Sequence, residues 1–457
     1  MKKTLLAIVL SLSCCATAAD LASSIQQDYQ QHLAALFKHF HQHPELSHME
    51  TQTAKRLAKE LRAAGFDVTE GVGKTGIVAM LKNGPGPLVM MRADMDGLPV
   101  EEKSGLPYAS KARQTDWDGN EVHVMHACGH DVHITSLVGT ARRMAAMKDN
   151  WSGTLMLVGQ PAEERVGGAK GMMEDNIWGR FGQPDYALAF HVSSEIEAGK
   201  IVAVEGSPYS GVDSVDIIVH GVGAHGASPH RGKDPIVLGA QIVMALQTIV
   251  SREIAPKEPA LITVGAFHSG TKHNIISDKA HLQLTVRNDS WETRQYLIAA
   301  IKRVAENLGR AAGLPEDKLP EVIISDEPTP PTVNDIPLTQ RLKKAWAAQM
   351  GQPVFDENYK RLGMGAEDFP FFTTKPYIPS TYFAVGGTPA ADFAAEKAGG
   401  PAVPSHHSPL FKISPEPAVT KGVEATVIAL LDLMPVKGKP QLKSRYLKTC
   451  CNRIGIP

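Results

Sequence analysis

Between residues 212 and 325 the chain runs strand, helix, strand, strand, helix, strand, and that order leaves few folds open. "SVDIIVHG" and "ALITVGAFH" read as strands, "DPIVLGAQIVMALQTIVSREI" as a long helix, "KAHLQLTVR" as a third strand, "TRQYLIAAIKRVAENLGRAAG" as a second helix and "EVIISD" as the last strand. This is the split βαβ order of a ferredoxin-like α+β unit. On either side the patterning belongs to something else. Ile25, Tyr29, Leu33, Leu36, Phe37 and Phe40 mark a helix over 23–43 that stops at Pro44, and a second helix runs from about Met49 to Ala64 with Gly65 as its stop. "GIVAML", "PLVMMRA", "GTLMLVGQPAEE" and "DYALAFHV" follow as strands, with a helix from about Val132 to Met147 among them. Past the proline-rich "EPTPPTVNDIP", α/β patterning resumes with the strand "STYFAVGG" and the helix "AVTKGVEATVIALLDLM". The expected fold class is therefore α/β, with a discontinuous main domain over 20–211 and 326–435 and a smaller domain inserted at 212–325. Several strands of the main domain end in polar residues, the edge where open α/β sheets build their sites.

A formal net charge of −1 over 457 residues gives no support for a nucleic-acid or membrane-surface partner. The N-terminus, "MKKTLLAIVLSLSCCATAAD", has two lysines, an apolar run too short to span a bilayer and small residues suited to cleavage, so residues 1–19 read as an export signal. The mature chain is expected to be periplasmic or secreted, with lipoprotein anchoring at Cys14 as the alternative; no later segment reads as a stable membrane insertion. Residues 436–457 form a basic tail without periodicity. Of the five cysteines, Cys14 and Cys15 fall in the signal and Cys450 and Cys451 in that tail, which leaves Cys128 as a lone thiol and no disulfide framework.

Cys128 lies in "HVMHACGHDVH", two residues from His130. A lone buried cysteine is the ordinary explanation; a thiolate beside an imidazole also suits a zinc-like ion. Compatible donors recur at strand ends elsewhere: Glu163 and Glu164 after "LMLVGQPA", His191 closing "YALAFH", and His406 and His407 in "PSHHSPLF". An adjacent carboxylate pair is usually a solvated loop feature. At the end of a buried strand it permits a division of labour, one carboxylate binding metal and the other moving a proton.

Taken in order, "HQHPELS", "MRADMDGLPVEEKSGLPYAS", "MHACGHDVH", "GQPAEE", "GAHGASPH", "GTKHNIISDKAHLQLTVR", "GAEDFPFF" and "HHSPLF" resemble the M20 peptidase family of metal-dependent amidohydrolases, in the subgroup of hippurate hydrolases and N-acyl-amino-acid or auxin-conjugate amidohydrolases. The resemblance covers nearly all of the mature chain. It implies a metallohydrolase domain with a central mixed sheet and an inserted lid and dimerisation domain. It also implies two divalent ions per subunit, zinc or manganese first and cobalt or nickel next, held by Cys128, His130, Glu164, His191 and His407. His407 is preferred to His406 because it precedes Ser408–Pro409. By the same resemblance Glu163 is the general base acting on metal-activated water, and Asp94 orients a ligand. His225 stabilises the oxyanion, often from the partner subunit, and Asn274 and Arg287 hold the substrate's carboxylate.

The implied reaction is hydrolysis of the amide of a small N-acyl amino acid, with a dipeptidase or carboxypeptidase of the same family as the alternative and a homodimer or higher homo-oligomer through the lid domain as the implied assembly. An exported solute-binding protein would need neither Glu163 nor the Cys128 thiolate, and a silent metal-binding relative would not need Glu163 and His225 intact. The chain departs from the family's pattern in three places. "SSEIEAG" follows His191 in place of a proline-containing turn, Arg165 and Val166 stand where glycines are frequent, and "ARQTDWDGNEVHV" lengthens the approach to the metal motif.

Overall fold

The computed structural model describes residues 18–325 and 328–436. Most of the segment expected to be an export signal, with Cys14 and Cys15, and almost all of the C-terminal tail, with Cys450 and Cys451, lie outside the described residues.

The main sheet is mixed and has seven strands, ordered Asp67–Val72, Gly76–Asn83, Gly153–Gln160, Leu88–Asp94, Tyr186–Glu197, Ser380–Thr388 and Ile201–Val202. Its four central strands are mutually parallel, and the outer pairings are antiparallel. The central strands are buried along nearly their whole length, which is why they read as continuous apolar runs such as "LVMM" and "LMLV" rather than as alternating ones. One face is covered by Thr51–Ala63, His130–Ala146, Ile336–Met350, Pro415–Leu433 and the N-terminal helical run, around a core that includes Phe37, Phe40, Trp151 and Trp346. The other face carries a smaller core around Met90, Met156, Phe369, Phe372 and Tyr382.

The helix expected over 23–43 begins at Ala18 and continues to Gln42, with a π-type stretch at Tyr29–Leu33. The helix expected to begin near Val132 begins at His130. The difference has a local cause. Gly129 caps this helix at φ 85°, and a Cβ there would lie 2.4 Å from Val192 Cγ1, so only glycine can turn the chain so abruptly into the helix. The turn carries Cys128 and His130 to the edge where the parallel strands end.

The inserted unit holds a four-stranded antiparallel sheet in the order Ala260–Ser269, Lys279–Asn288, Gly211–His220, Glu321–Ile324. Helices Pro235–Thr248 and Trp291–Ala311 cover one face around Val215, Ile217, Leu246, Leu282, Leu297 and Ile301. By length and composition Pro235–Glu253 could cross a membrane. Here Leu238, Ile242, Leu246 and Ile249 are packed on the sheet, while Ile236, Val237 and Met244 face outwards.

Candidate metal centre and active site

Register places the functional residues along one line of the main sheet. Asp94 pairs with Gln160, Arg92 pairs with Ala189 two residues before His191, and His191 pairs with Ala384. Beyond this edge the chain returns with Cys128, His130, Glu163, Glu164 and His407.

Cys128 Sγ lies 3.4 Å from His191 Nε2. His130 Nε2 is 3.9 Å from Glu164 Oε1 and 3.9 Å from Glu163 Oε2, and His407 Nε2 is 3.4 Å from Glu164 Oε2. Three overlapping triads follow, Cys128–His130–His191, Cys128–Glu164–His407 and His130–Glu163–Glu164, each with donor atoms within 4.8 Å of one another. Six sequence-identified residues thus meet in one place.

The hydrogen bonds around the cluster settle which ring atoms face it. His191 Nδ1 lies 2.7 Å from the Val192 carbonyl, which can only accept, so Nδ1 carries the proton and Nε2 presents a lone pair towards Cys128. His130 Nδ1 is committed to Asp96, 2.9 Å from its carbonyl and 3.2 Å from Oδ1, while His130 Nε2 and Glu164 Oε1 are buried without a hydrogen-bond partner among the described residues. Orphaned buried polar atoms are costly and rare. Here they point at one another with a thiol and a second imidazole beside them. A set of sulfur, nitrogen and carboxylate donors converging on one point fits two divalent cations.

The electrostatics agree. Burial, together with Glu164, Glu163 and Asp94, pushes the Cys128 thiol well above its ordinary pKa, so a thiolate here needs a cation. Burial likewise raises Glu164 to about 7, and burial plus Glu367, Glu164 and Asp368 raises Glu163 well above the carboxylate range. Burial opposes charge on His130, but Asp94, Asp96 and Glu164 outweigh it and lift its pKa to about 10.

Asp94, expected to orient a ligand, lies 3.8 Å from His130 Nε2 but makes its hydrogen bonds elsewhere. Its carboxylate receives Arg92 and His133 Nδ1, and His133 Nε2 accepts the Val192 N–H at 2.9 Å. The carboxylate that bonds the His130 ring directly is Asp96, which also accepts Ser47 Oγ at 2.7 Å and the Glu164 N–H at 3.0 Å. Asp96→Asn is expected to weaken metal binding by about 10- to 100-fold, as loss of such a partner typically does; competition with a chromogenic chelator measures it.

Sequence reasoning also missed the group beneath Glu163. Arg92, fully buried, donates to Gln160 at 2.7 Å, Glu367 at 2.7 Å and Asp368 at 3.1 Å, and Tyr382 donates to Glu367 at 2.7 Å. Its one positive charge makes the crowding of Asp94, Glu367 and Asp368 tolerable. His406 was passed over as well. Its Nδ1 stands 3.8 Å from Cys128 Sγ and its Nε2 accepts the Ser194 N–H at 3.2 Å, so it packs against the cluster with one nitrogen already committed.

The cluster opens into a cavity of about 590 Å³, lined also by Tyr209, Val212, Tyr359 and Arg287. Arg287 donates to Thr285 Oγ1 at 3.1 Å and to the Met364 carbonyl at 3.3 Å, and pairs with no carboxylate among the described residues. Burial lowers its pKa without any acid to offset the cost. His225 and Asn274 are elsewhere. They lie together on an exposed tip of the inserted domain, where Ala224–His225 pairs with Ile275–Ile276 and the Asn274 carbonyl accepts the Gly226 N–H at 2.8 Å; neither lines the cavity.

Comparison with known proteins agrees with this arrangement. The sequence profile of peptidase family M20/M25/M40 matches residues 90–398. The chain is 36% identical to a hippurate hydrolase of Campylobacter jejuni over 346 residues, 76% of this chain and 86% of that protein. It is also 36% identical to thermostable carboxypeptidase 1 of Saccharolobus solfataricus over 374 residues, 80% of this chain and 89% of that one. The fold superposes on a dinuclear metal-binding M20 peptidase of Bacillus subtilis with a TM-score of 0.72 and 26% identity, covering 90% of this chain and 99% of the other.

Proposed function

The chain belongs to the M20/M25/M40 peptidase family and is a metal-dependent amidohydrolase, and from that premise we propose that it releases amino acids from small N-acyl conjugates of the hippurate type. The observation that carries this reading is Arg287. A half-buried guanidinium without an acidic partner, in the same cavity as Glu163, suits a substrate with a free α-carboxylate. The likeness to a carboxypeptidase supports a second reading, a C-terminal amino acid released from a short peptide, since that product also carries its carboxylate at the cleaved residue.

Cys128, His130, Glu164, His191 and His407 would hold two divalent ions, zinc or manganese before cobalt or nickel. Bound there, the ions supply Lewis acidity that polarises the scissile carbonyl and acidifies the attacking water. Glu163, not needed as a ligand, takes the water's proton and returns it to the departing amine. Its carboxyl stands beside the cluster, 3.9 Å from His130 Nε2, where one group can serve both transfers. Asp96 holds the His130 ring in the tautomer that leaves Nε2 free.

His225 acts on the developing oxyanion from a second subunit, with Asn274 beside it. Their position outside this chain's cavity supports that assignment, as do the outward-facing Ile236, Val237 and Met244 and the free edge of strand Ala260–Ser269. The reading also includes export to the periplasm or beyond, supported by the N-terminal sequence.

Metal-reconstituted protein is expected to hydrolyse hippurate or another N-acyl amino acid, followed as release of the free amino acid; no turnover across acetyl, benzoyl and dipeptide substrates contradicts both readings. Arg287→Met is expected to raise KM by about 10- to 100-fold for substrates with a free carboxylate, the loss of one charge-assisted contact. The same substrates with that carboxylate amidated should be unaffected.

A further inference from the structure

Val166 has φ 53° and ψ 33°, the left-handed conformation that a β-branched residue adopts only when its surroundings dictate it. Its surroundings do. The Val166 N–H donates to the Glu163 carbonyl at 2.7 Å, and Ala162, also left-handed, gives its N–H to Glu50 at 2.8 Å. Gly168 packs so closely on Pro161 that a Cβ would fall 1.5 Å from its carbonyl oxygen. On the outer side, the Arg165 guanidinium lies over the Trp117 ring, 4.1 Å from its centroid. The Trp117 indole N–H donates to the Ser47 carbonyl at 3.2 Å, and Ser47 Oγ in turn bonds Asp96. Trp117 sits at the tip of the hairpin formed by Arg113–Thr115 and Glu121–His123. The Glu163–Val166 turn is thus fixed from within by Glu50 and Pro161 and from without by this hairpin.

So held, Val166 is half-buried and lines the same cavity as Cys128, Glu163 and Glu164. Arg287, by contrast, belongs to the inserted domain and reaches the Met364 carbonyl. A substrate with its carboxylate at Arg287 and its carbonyl at the metal cluster has only its acyl portion left to extend past Glu163 and Glu164. We propose that Val166 sets the upper size of the acyl group this enzyme accepts, and that the Arg165–Trp117 stack is the brace that keeps it in place. The proposal rests on the N-acyl amino acid reading above.

The test compares kcat/KM for N-acetyl-, N-benzoyl- and N-naphthoyl-glycine in the wild type, Val166→Gly and Val166→Asn. A second series keeps the acyl group fixed and varies the amino acid. Val166→Gly removes the side chain and suits the left-handed backbone. Val166→Asn also tolerates that backbone but keeps a side chain of similar size. Val166→Gly is expected to raise the naphthoyl-to-acetyl ratio by about 10-fold or more, within the range that pocket size alone achieves. Val166→Asn should keep the wild-type ratio, and the amino-acid series should be unchanged in both. Val166→Ala, a milder truncation, should move the acyl ratio in the same direction as glycine. An acyl ratio that stays fixed in both small variants, or moves equally in the asparagine variant, overturns the proposal, as does a shift confined to the amino-acid series. A wild type without activity on any N-acyl amino acid would instead remove the reading on which the proposal stands.

Discussion

Glu163→Gln lowers kcat by on the order of 10³- to 10⁴-fold, the upper part of what a positioned proton-transfer group contributes, while the chain keeps its fold and its metal. The geometry requires both halves of this result. Glu163 borders the cluster 3.9 Å from His130 Nε2 and is left over once Cys128, His130, Glu164, His191 and His407 are assigned as donors, with the Glu367, Asp368 and Arg92 group beside it. Glutamine is nearly isosteric and leaves Cys128, His130, Glu164, His191 and His407 in place, so metal binding by those donors is kept. The comparison is of steady-state rates and metal content on the same preparations. Equal rates in the two proteins would exclude Glu163 as the base; loss of metal would recast it as a ligand.

Cys128→Ser is expected to weaken metal binding by more than about 100-fold, since loss of a direct donor exceeds the loss of a supporting partner, and to abolish turnover at ordinary metal concentrations. The effect extends to stability. Glu163, Glu164, Asp94 and Asp96 are crowded around one point, with His130 and Arg92 as the counter-charges on hand. Ions that bind the folded chain and not the unfolded one stabilise it by mass action. The melting temperature of the wild type should therefore fall on chelation and recover on metal addition, while that of the serine variant should respond little to either. A serine variant that melts and responds like the wild type would exclude Cys128 from the cation site.

Much of this arrangement was legible because its signals are local. Cys128, His130, Glu163, Glu164 and His191 each sit at or just beyond the end of an apolar strand, or in a dense run of donors, and a parallel sheet gathers such ends on one edge. The α/β class follows from the same patterning, while the mixed central sheet was what the family resemblance implied. What stayed hidden depends on distant pairs. Arg92 meets Glu367 across 275 positions, and nothing in "RAD" or "GAEDF" alone announces an ion pair. Asp96 was overlooked in favour of Asp94 although both stand in "RADMD"; which of them faces His130 depends on how the chain bends after the strand ends at Asp94. Trp117 could be read only as part of a lengthened segment, because its return to Arg165 is a matter of hairpin geometry. The helix ahead of Pro44 starts before residue 23, where the apolar spacing was read to begin; Leu21, one turn before Ile25 and buried with it, carries the stripe further back.

X-ray absorption of the zinc-loaded protein tests the central assignment most directly. One thiolate shared among imidazole and carboxylate donors predicts a sulfur scatterer at about 2.3 Å beside nitrogen and oxygen at about 2.0–2.2 Å, the sulfur signal vanishing in Cys128→Ser. A first shell of nitrogen and oxygen alone in the wild type would contradict it.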